Sequence, residues 1–266
     1  MQTISILGCG WLGLPLGAAL AKAGFQIKGA TTTAAKTARL KSAGITPYVL
    51  NFNPDVEHTA DFFDTDVLII NLPPRNQNED EDYHKKQLQA IRQYCLQHQI
   101  SKVLFVSSTA VYPNCNREVH EEDASPTALS RGGIPLLLME QIFTSTLTFQ
   151  TTVVRFGGLY GPERHPGRFL AGKKGVPGAS NPVNMIHLED CIGVIQSIIQ
   201  QSLWNKTYNA CAPSHPRRDD FYLQATQKLD LPPPQFSTES KDFKRVSPAK
   251  LLKETGYQFV HNPSFT

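Results

Sequence analysis

The sequence predicts an α/β fold, a doubly wound parallel sheet with a small C-terminal lobe. Three observations carry that expectation. Strand-like and helix-like stretches alternate from the start through residue 156, a rhythm that implies parallel neighbours joined by crossover helices. Two of the strand segments, Val67-Leu68-Ile69-Ile70-Asn71 and Val103-Leu104-Phe105-Val106-Ser107, open on four consecutive apolar residues before their polar last one, as strands buried on both faces should. A glycine-rich turn follows the first strand and opens the first helix.

Taken in order, Thr3 to Leu7 reads as the first strand and Leu14 to Ala23 as the first helix. Phe25 to Gly29 is the second strand, Ala34 to Ala43 the second helix, and Pro47 to Leu50 the third strand. The fourth strand, at Val67, precedes a polar-faced helix over Tyr83 to Gln97 and the strand at Val103. Pro135 to Phe143 is helical and Thr152 to Phe156 is the sixth strand. Beyond 156 the pattern loosens. Residues 157–183 are rich in Gly and Pro and show only a short turn at Arg168 to Ala171. A helix follows over Leu188 to Gln200 and a strand over Thr207 to Ala210, with helices over 219–230 and 248–254.

Composition narrows the class. At 266 residues with 40% hydrophobic and 18% charged residues, the chain can bury a core and is too apolar for disorder. Its longest apolar runs fall far short of the roughly 18 residues of a membrane span, and the N-terminus has no basic region ahead of its apolar stretch. A soluble cytoplasmic protein is expected. A net charge of +3 gives no reason to expect a nucleic-acid partner. The five cysteines are scattered with no C-x-x-C pair, which indicates free thiols and neither a zinc site nor a disulfide framework.

The turn Gly8-Cys9-Gly10-Trp11-Leu12-Gly13 is G-x-G-x-x-G at the point where a dinucleotide-binding Rossmann fold carries it. The first Gly makes the tight turn, the second lets backbone approach a pyrophosphate, and the third allows close helix–strand packing. The helix N-terminus then offers N–H groups and a positive dipole end. Gly8, Gly10, Trp11, Leu12 and Gly13 are therefore candidate cofactor-binding residues. An NAD-specific site places an acid about 20 residues on, to hold the ribose 2′-OH. No Asp or Glu precedes Asp55, whereas Lys22, Lys28, Lys36, Arg39 and Lys41 make that stretch basic. Hydroxyls of Thr31, Thr32 and Thr33 with the charge of Lys36 or Arg39 suit a 2′-phosphate, so NADP(H) is favoured over NAD(H).

Further segments fall in a recognisable order: VLIINLPP, VLFVSSTAVYP, VVRFGGLYGP, NMIHLEDC and TYNACAP. With the glycine turn they span nearly the whole chain and resemble the extended short-chain dehydrogenase/reductase family, in its NAD-dependent epimerase/dehydratase branch. HPGRF at His165 to Phe169 points to a small bacterial subgroup. The resemblance implies that Leu72, Pro73 and Pro74 lie along the cofactor and that Ser107, Ser108 and Thr109 lie under the nicotinamide. Ser108 matches the catalytic Ser/Thr that hydrogen-bonds the reacting oxygen. Gly157 to Gly161 would close over the nicotinamide side, and His187 matches a supporting position.

The chain departs from that family at its acid/base. Family catalysis uses Tyr-x-x-x-Lys, one helical turn apart, the Lys lowering the Tyr pKa. Counting back from Glu140 puts the Tyr position at Gly132 and the Lys position at Leu136. No Tyr lies between Tyr112 and Tyr160, and no Lys between Lys102 and Lys173. Tyr112, Glu163 or His165 could substitute as acid/base, or Arg131 as an electrophile. Otherwise the substrate needs little proton help, or the protein is a non-catalytic nucleotide-binding sensor.

Other clusters have plainer readings. Glu118, Glu121, Glu122 and Asp123 with His120 suit a solvated loop. Glu79 to Asp82 places negative charge at a helix N-terminus. Arg164, His165 and Arg168 form a basic patch suited to an anionic small-molecule substrate, and Tyr257, Phe259 and Phe265 anchor the C-terminal tail. The expected division is an NAD(P)-binding Rossmann domain over 1–156 with 184–208, and a small substrate-binding lobe over 157–183 with 209–266. No metal site is expected, and the sequence leaves the oligomeric state open.

Overall fold

The computed structural model describes residues 1–51, 60–74, 82–129 and 133–263. Its elements run β1 (Thr3–Leu7), α1 (Gly13–Lys22), β2 (Gln26–Thr31), α2 (Thr37–Ser42), β3 (Thr46–Val49) and β4 (Val67–Ile70). They continue with α3 (Tyr83–Gln97), β5 (Lys102–Ser108), β6 (Arg117–Val119), α4 (Leu136–Thr144), β7 (Gln150–Phe156) and β8 (Gly158–Tyr160). The last are α5 (Gly167–Leu170), β9 (Met185–His187), α6 (Leu188–Gln200), β10 (Thr207–Ala210), α7 (Arg218–Gln227), β11 (Lys244–Val246) and α8 (Ala249–Thr255).

The central sheet has seven strands in the order β10-β7-β5-β4-β1-β2-β3, and the chain is a doubly wound Rossmann-type α/β protein as expected. β1 lies between β2 and β4, with Ile4 level with both Ile27 and Val67. At the far edge, Val153 N–H donates to the Lys206 carbonyl and Gly157 N–H to the Ala210 carbonyl. Both numbers rise together, so this pair also runs parallel. Val67 to Ile70 are fully buried, which is why that run is apolar on both faces.

The chain divides into two compact units. One comprises Met1–Ser107, Pro126–Val154 and Ile198–Thr207; the other comprises Ser108–Ser125, Arg155–Ser197 and Tyr208–Thr266. In the first unit, α3 and α4 lay Leu88, Ile91, Met139 and Phe143 against Leu68, Ile70, Val103 and Phe105. Burial of each such side chain contributes about 1.5–3 kcal/mol. α1 sits close on the sheet because Gly17 has no side chain: a Cβ there would lie 2.6 Å from Ile45 and 3.3 Å from Ile6.

The second unit contains two small parallel sheets, β6 with β11 and β8 with β9. The sequence pattern showed none of these strands. At three residues each they are too short for alternation to register. Tyr160, Val183, Met185 and Phe221 form the core beside β8 and β9. The helix expected over Ala34 to Ala43 is also divided, into a 3₁₀ turn at Ala34–Lys36 and then α2.

No described helix is long and apolar enough to cross a membrane. All five cysteines are free, four buried and Cys115 exposed. Burial pushes the Cys9, Cys95 and Cys211 thiols up to about 12, so they stay protonated and unreactive. The candidate positions 79–81, Arg131, Gly132 and Phe265 lie outside the described residues.

Candidate nucleotide site and a buried polar network

The glycine turn is shaped by three different constraints. Gly8 has φ +98°, and a Cβ there would run into the Asn71 carbonyl, so neither its backbone nor its surroundings admit a side chain. Gly13 opens α1, and its Cβ would collide with the Gly8 carbonyl and lie 3.1 Å from Asn71 Nδ2. Gly10 is the opposite case: exposed, with no atom of the described residues within 4 Å of the Cβ position. Two glycines are required by the protein's own packing, while no contact among the described residues requires one at the middle position.

Asn71, just past β4, holds this geometry. Its Nδ2 donates to the Gly8 carbonyl at 2.9 Å, and its own N–H donates to the Leu7 carbonyl. The sequence reading did not single it out; its place directly after a buried strand was the available signal. Cys9 N–H donates to the Ala30 carbonyl, tying the turn to the end of β2. Trp11 is half-buried and Leu12 buried. α1 begins with no side-chain cap and no acid in its first turn, so no side chain of that turn offsets its positive dipole end.

Beyond β2, Thr31 is buried and its Oγ1 accepts weakly from Thr33 N–H at 3.5 Å, whereas Thr32, Thr33, Lys36 and Arg39 are exposed. Lys28 is not available to a ligand. Its Nζ donates to the carbonyls of Asp61 and Asp64 and lies 3.3 Å from the Asp61 carboxylate. Leu72 is half-buried and Pro73 and Pro74 are exposed, following β4 directly.

At the end of β5, Ser107 donates to Glu140 Oε1 at 2.6 Å. That carboxylate is buried on α4, and the bond links strand to helix inside the first unit. Ser108 belongs to the second unit. Its Oγ accepts from Ala110 N–H at 3.1 Å and caps the short turn Thr109–Val111, and its own O–H has no acceptor among the described residues.

The second unit encloses a polar network that the sequence did not reveal. Tyr112, buried, donates its phenol proton to Asn209 Oδ1 at 2.6 Å and accepts from Arg155 at 2.6 Å. Arg155 also donates to the Glu121 carbonyl, and its guanidinium lies 5.2 Å from the Tyr112 ring centre. Asn209 N–H donates to Glu121 Oε1 at 2.8 Å, and its Nδ2 donates to the Ser247 carbonyl. Tyr112 is therefore a structural residue, and as a substitute acid/base it is sealed and already bonded on both sides. Glu121 likewise departs from the solvated reading of its acidic cluster.

His187 acts as a cap and packing group. Its Nδ1 accepts from Glu189 N–H at 3.3 Å, and its ring packs edge-on to Tyr160 and against His261 with centres 3.8 Å apart. Buried Asp190 holds the tail by accepting from Tyr257 O–H and from the N–H groups of Val260 and His261. In the basic patch, His165 Nδ1 accepts from Gly167 N–H, and burial with Lys228 and Arg168 nearby lowers its pKa below 6.5. It is neutral at neutral pH, so the charge of that patch comes from its arginines.

No family model matches the chain. Among curated proteins, Protein YeeZ of Escherichia coli is 34% identical over 267 residues, covering 98% of this chain and 97% of the relative. The chain belongs to the YeeZ family. Its fold is shared with solved NAD-dependent epimerases and epimerase/dehydratases. UDP-glucuronic acid 4-epimerase from Bacillus cereus, solved in complex with NAD, superposes with a TM-score of 0.80 at 15% identity, covering 99% of this chain and 95% of that one. A functionally unknown conserved protein from Silicibacter pomeroyi superposes with a TM-score of 0.76 at 23% identity over 99% and 95% of the two chains.

Proposed function

We propose that this YeeZ-family chain is an NAD(P)-binding, epimerase/dehydratase-like oxidoreductase that prefers NADP(H) and acts on a small molecule in the cytoplasm. The observation that carries the reading is the glycine turn: two glycines are forced by contacts with Asn71 and Gly8, while among the described residues nothing crowds the Cβ position of Gly10. Packing alone gives no reason for a glycine at the middle position, and a pyrophosphate approaching the backbone does. The B. cereus structure of the same fold binds NAD, which supports a nicotinamide dinucleotide here.

In this reading the turn and the N-terminus of α1 receive the pyrophosphate, and Leu72, Pro73 and Pro74 flank the cofactor. Thr32 and Lys36 supply a hydroxyl and a charge to the 2′-phosphate. Both are exposed, and no acid precedes Asp55 in the chain. Bound nicotinamide supplies hydride transfer. Ser107, fixed by Glu140, lines the nicotinamide end, and the O–H of Ser108 donates to the reacting oxygen of the substrate. Arg168 is the candidate partner for an anionic substrate group.

Calorimetry tests the cofactor. NADPH is expected to bind at least about tenfold more tightly than NADH, since one charge-assisted hydrogen bond is worth roughly 1.5–3 kcal/mol. Lys36→Ala is expected to erase that preference. No heat with either nucleotide, or tighter binding of NADH, overturns the proposal.

A second reading, a non-catalytic NAD(P)-binding sensor, is favoured by one specific observation. Tyr112, the tyrosine nearest Ser108 in the chain, is locked between Asn209 and Arg155. Deuteride exchange from labelled NADPH into a panel of sugar nucleotides and carbonyl metabolites separates the two readings. Exchange supports the oxidoreductase, and tight binding without exchange supports the sensor.

A further inference from the structure

An open pocket of about 490 Å³ lies at the surface of the second unit, lined by Glu118, Pro213, His215, Arg245, Ser247 and Leu252 among others. None of these residues belongs to the nucleotide site. Its construction follows from the smallest sheet in the fold. β6 and β11 run parallel with Glu118 level with Arg245, so two opposite charges leave neighbouring strands side by side, at a strand spacing of about 4.8 Å.

The two charges do not close on each other. Both residues are exposed at the rim of the pocket; among the described residues the Arg245 guanidinium has no hydrogen-bond or ion-pair partner, and the Glu118 carboxylate meets only His120 Nε2, at 3.6 Å. The hydroxyl of buried Ser247 has no hydrogen-bond partner among the described residues and is not a buried orphan. His215 Nδ1 lies 3.1 Å from the Val183 carbonyl and so donates to it. Burial lowers the pKa of that imidazole, which leaves a neutral ring whose Nε2 lone pair is an acceptor.

The cavity thus carries two donors, Arg245 and Ser247, and two acceptors, Glu118 and His215. Pro213, Pro248 and Leu252 add apolar wall. A simple anion would meet the charge of Glu118, and a simple cation that of Arg245. A small molecule bearing both charges satisfies both.

We propose that this cavity is a ligand site for a free α-amino acid with a short apolar side chain. Its carboxylate pairs with Arg245 and Ser247, its ammonium with Glu118 and His215, and its side chain rests on the proline and leucine wall. The volume is within the range of small-molecule sites and leaves room for bridging water. The inference does not depend on nucleotide binding or on turnover.

The experiment is a thermal-shift screen of the full chain against the twenty proteinogenic amino acids, each at millimolar concentration, followed by calorimetry on those that raise the Tm. At least one small apolar amino acid is expected to bind, and its N-acetyl and its amide derivatives are each expected to bind at least about tenfold more weakly. Arg245→Gln and Glu118→Gln are each expected to weaken binding at least tenfold while leaving the NADPH titration unchanged. The proposal is overturned if no amino acid binds, if the blocked derivatives bind as well as the free amino acid, or if both variants bind it undiminished. The derivative comparison uses the native chain, so it holds even if a variant folds poorly. An NADPH titration that fails on the native chain bears on the nucleotide proposal alone.

Discussion

The glycine turn of the first unit and the polar network of the second are both tightly determined, but by different kinds of constraint. In the turn the constraint is on backbone: Gly8 must hold φ +98° under the Asn71 carbonyl, and Gly13 must pass the Gly8 carbonyl. Only one residue type satisfies either demand. In the network the constraint is on hydrogen-bond pairing: Tyr112, Arg155, Asn209 and Glu121 bond one another, and Asn209 also bonds the Ser247 carbonyl. Many sets of polar side chains could fill such a space. A backbone requirement leaves a mark in the amino-acid alphabet, and a pairing requirement does not.

The largest effect is expected where the backbone admits no alternative. Gly8→Ala places a side chain at positive φ and against a main-chain carbonyl that cannot swing away. Strain and overpacking together are expected to cost about 2–5 kcal/mol. Chemical denaturation should show the loss, and NADPH binding should vanish with it. A variant of native stability would show that the turn is held less tightly than its contacts imply.

Next is the buried guanidinium. Arg155→Met keeps much of the side-chain volume but leaves the Tyr112 oxygen and the Glu121 carbonyl without their donor. The expected loss is about 2–4 kcal/mol, because bonds from a charged donor are the stronger kind and a buried polar group left alone carries its full desolvation cost. If denaturation instead showed a gain, the network would be one of those in which a buried charge is kept at a net cost to stability.

The same contrast explains what could be read in the chain. β1, α3, α6 and β10 were legible to the residue, since each is a run of clear period bounded by a break. G-x-G-x-x-G was legible because its residues are consecutive. Asn71 was not, because asparagine after a strand is common and its bond to Gly8 spans 63 positions. The Tyr112–Asn209 bond spans 97 positions, with nothing in either neighbourhood to mark it. Glu121 read as one member of an acidic loop, although its carboxylate accepts from the Asn209 main chain. β6, β8, β9 and β11 are held by their neighbours and too short to show a period.

Tyr112→Phe sharpens the functional side of the comparison. Removing the hydroxyl strands Asn209 Oδ1 and one Arg155 donor, at an expected cost of about 1–3 kcal/mol. The ring remains beneath the guanidinium, so its cation–π contact survives. Nucleotide affinity should not change, and any deuteride exchange the native chain supports should persist. Loss of a general acid/base would instead lower the exchange rate by roughly 10²–10⁴ with little effect on stability. The two outcomes differ in which measurement moves.

The smallest expected effect lies at the edge of the network, where β6 meets its following turn. Arg117 grips Asp123 through two bonds at 2.7 and 3.1 Å, and Asp123 also accepts from His120 N–H at 2.8 Å. The Arg117 hydrogen bonds, with that amide, lower the Asp123 carboxyl to about 2. Because the folded value is depressed below the unfolded one, near 4, the contribution to stability is present above pH 4 and fades as pH falls toward 2. Urea midpoints followed from pH 5 down to pH 2.5 should therefore fall less steeply in Arg117→Gln than in the native chain, and added salt should shrink the difference. Parallel curves for the two chains would mean that the His120 amide alone holds the carboxylate, and that the arginine at this strand end is a solvated charge.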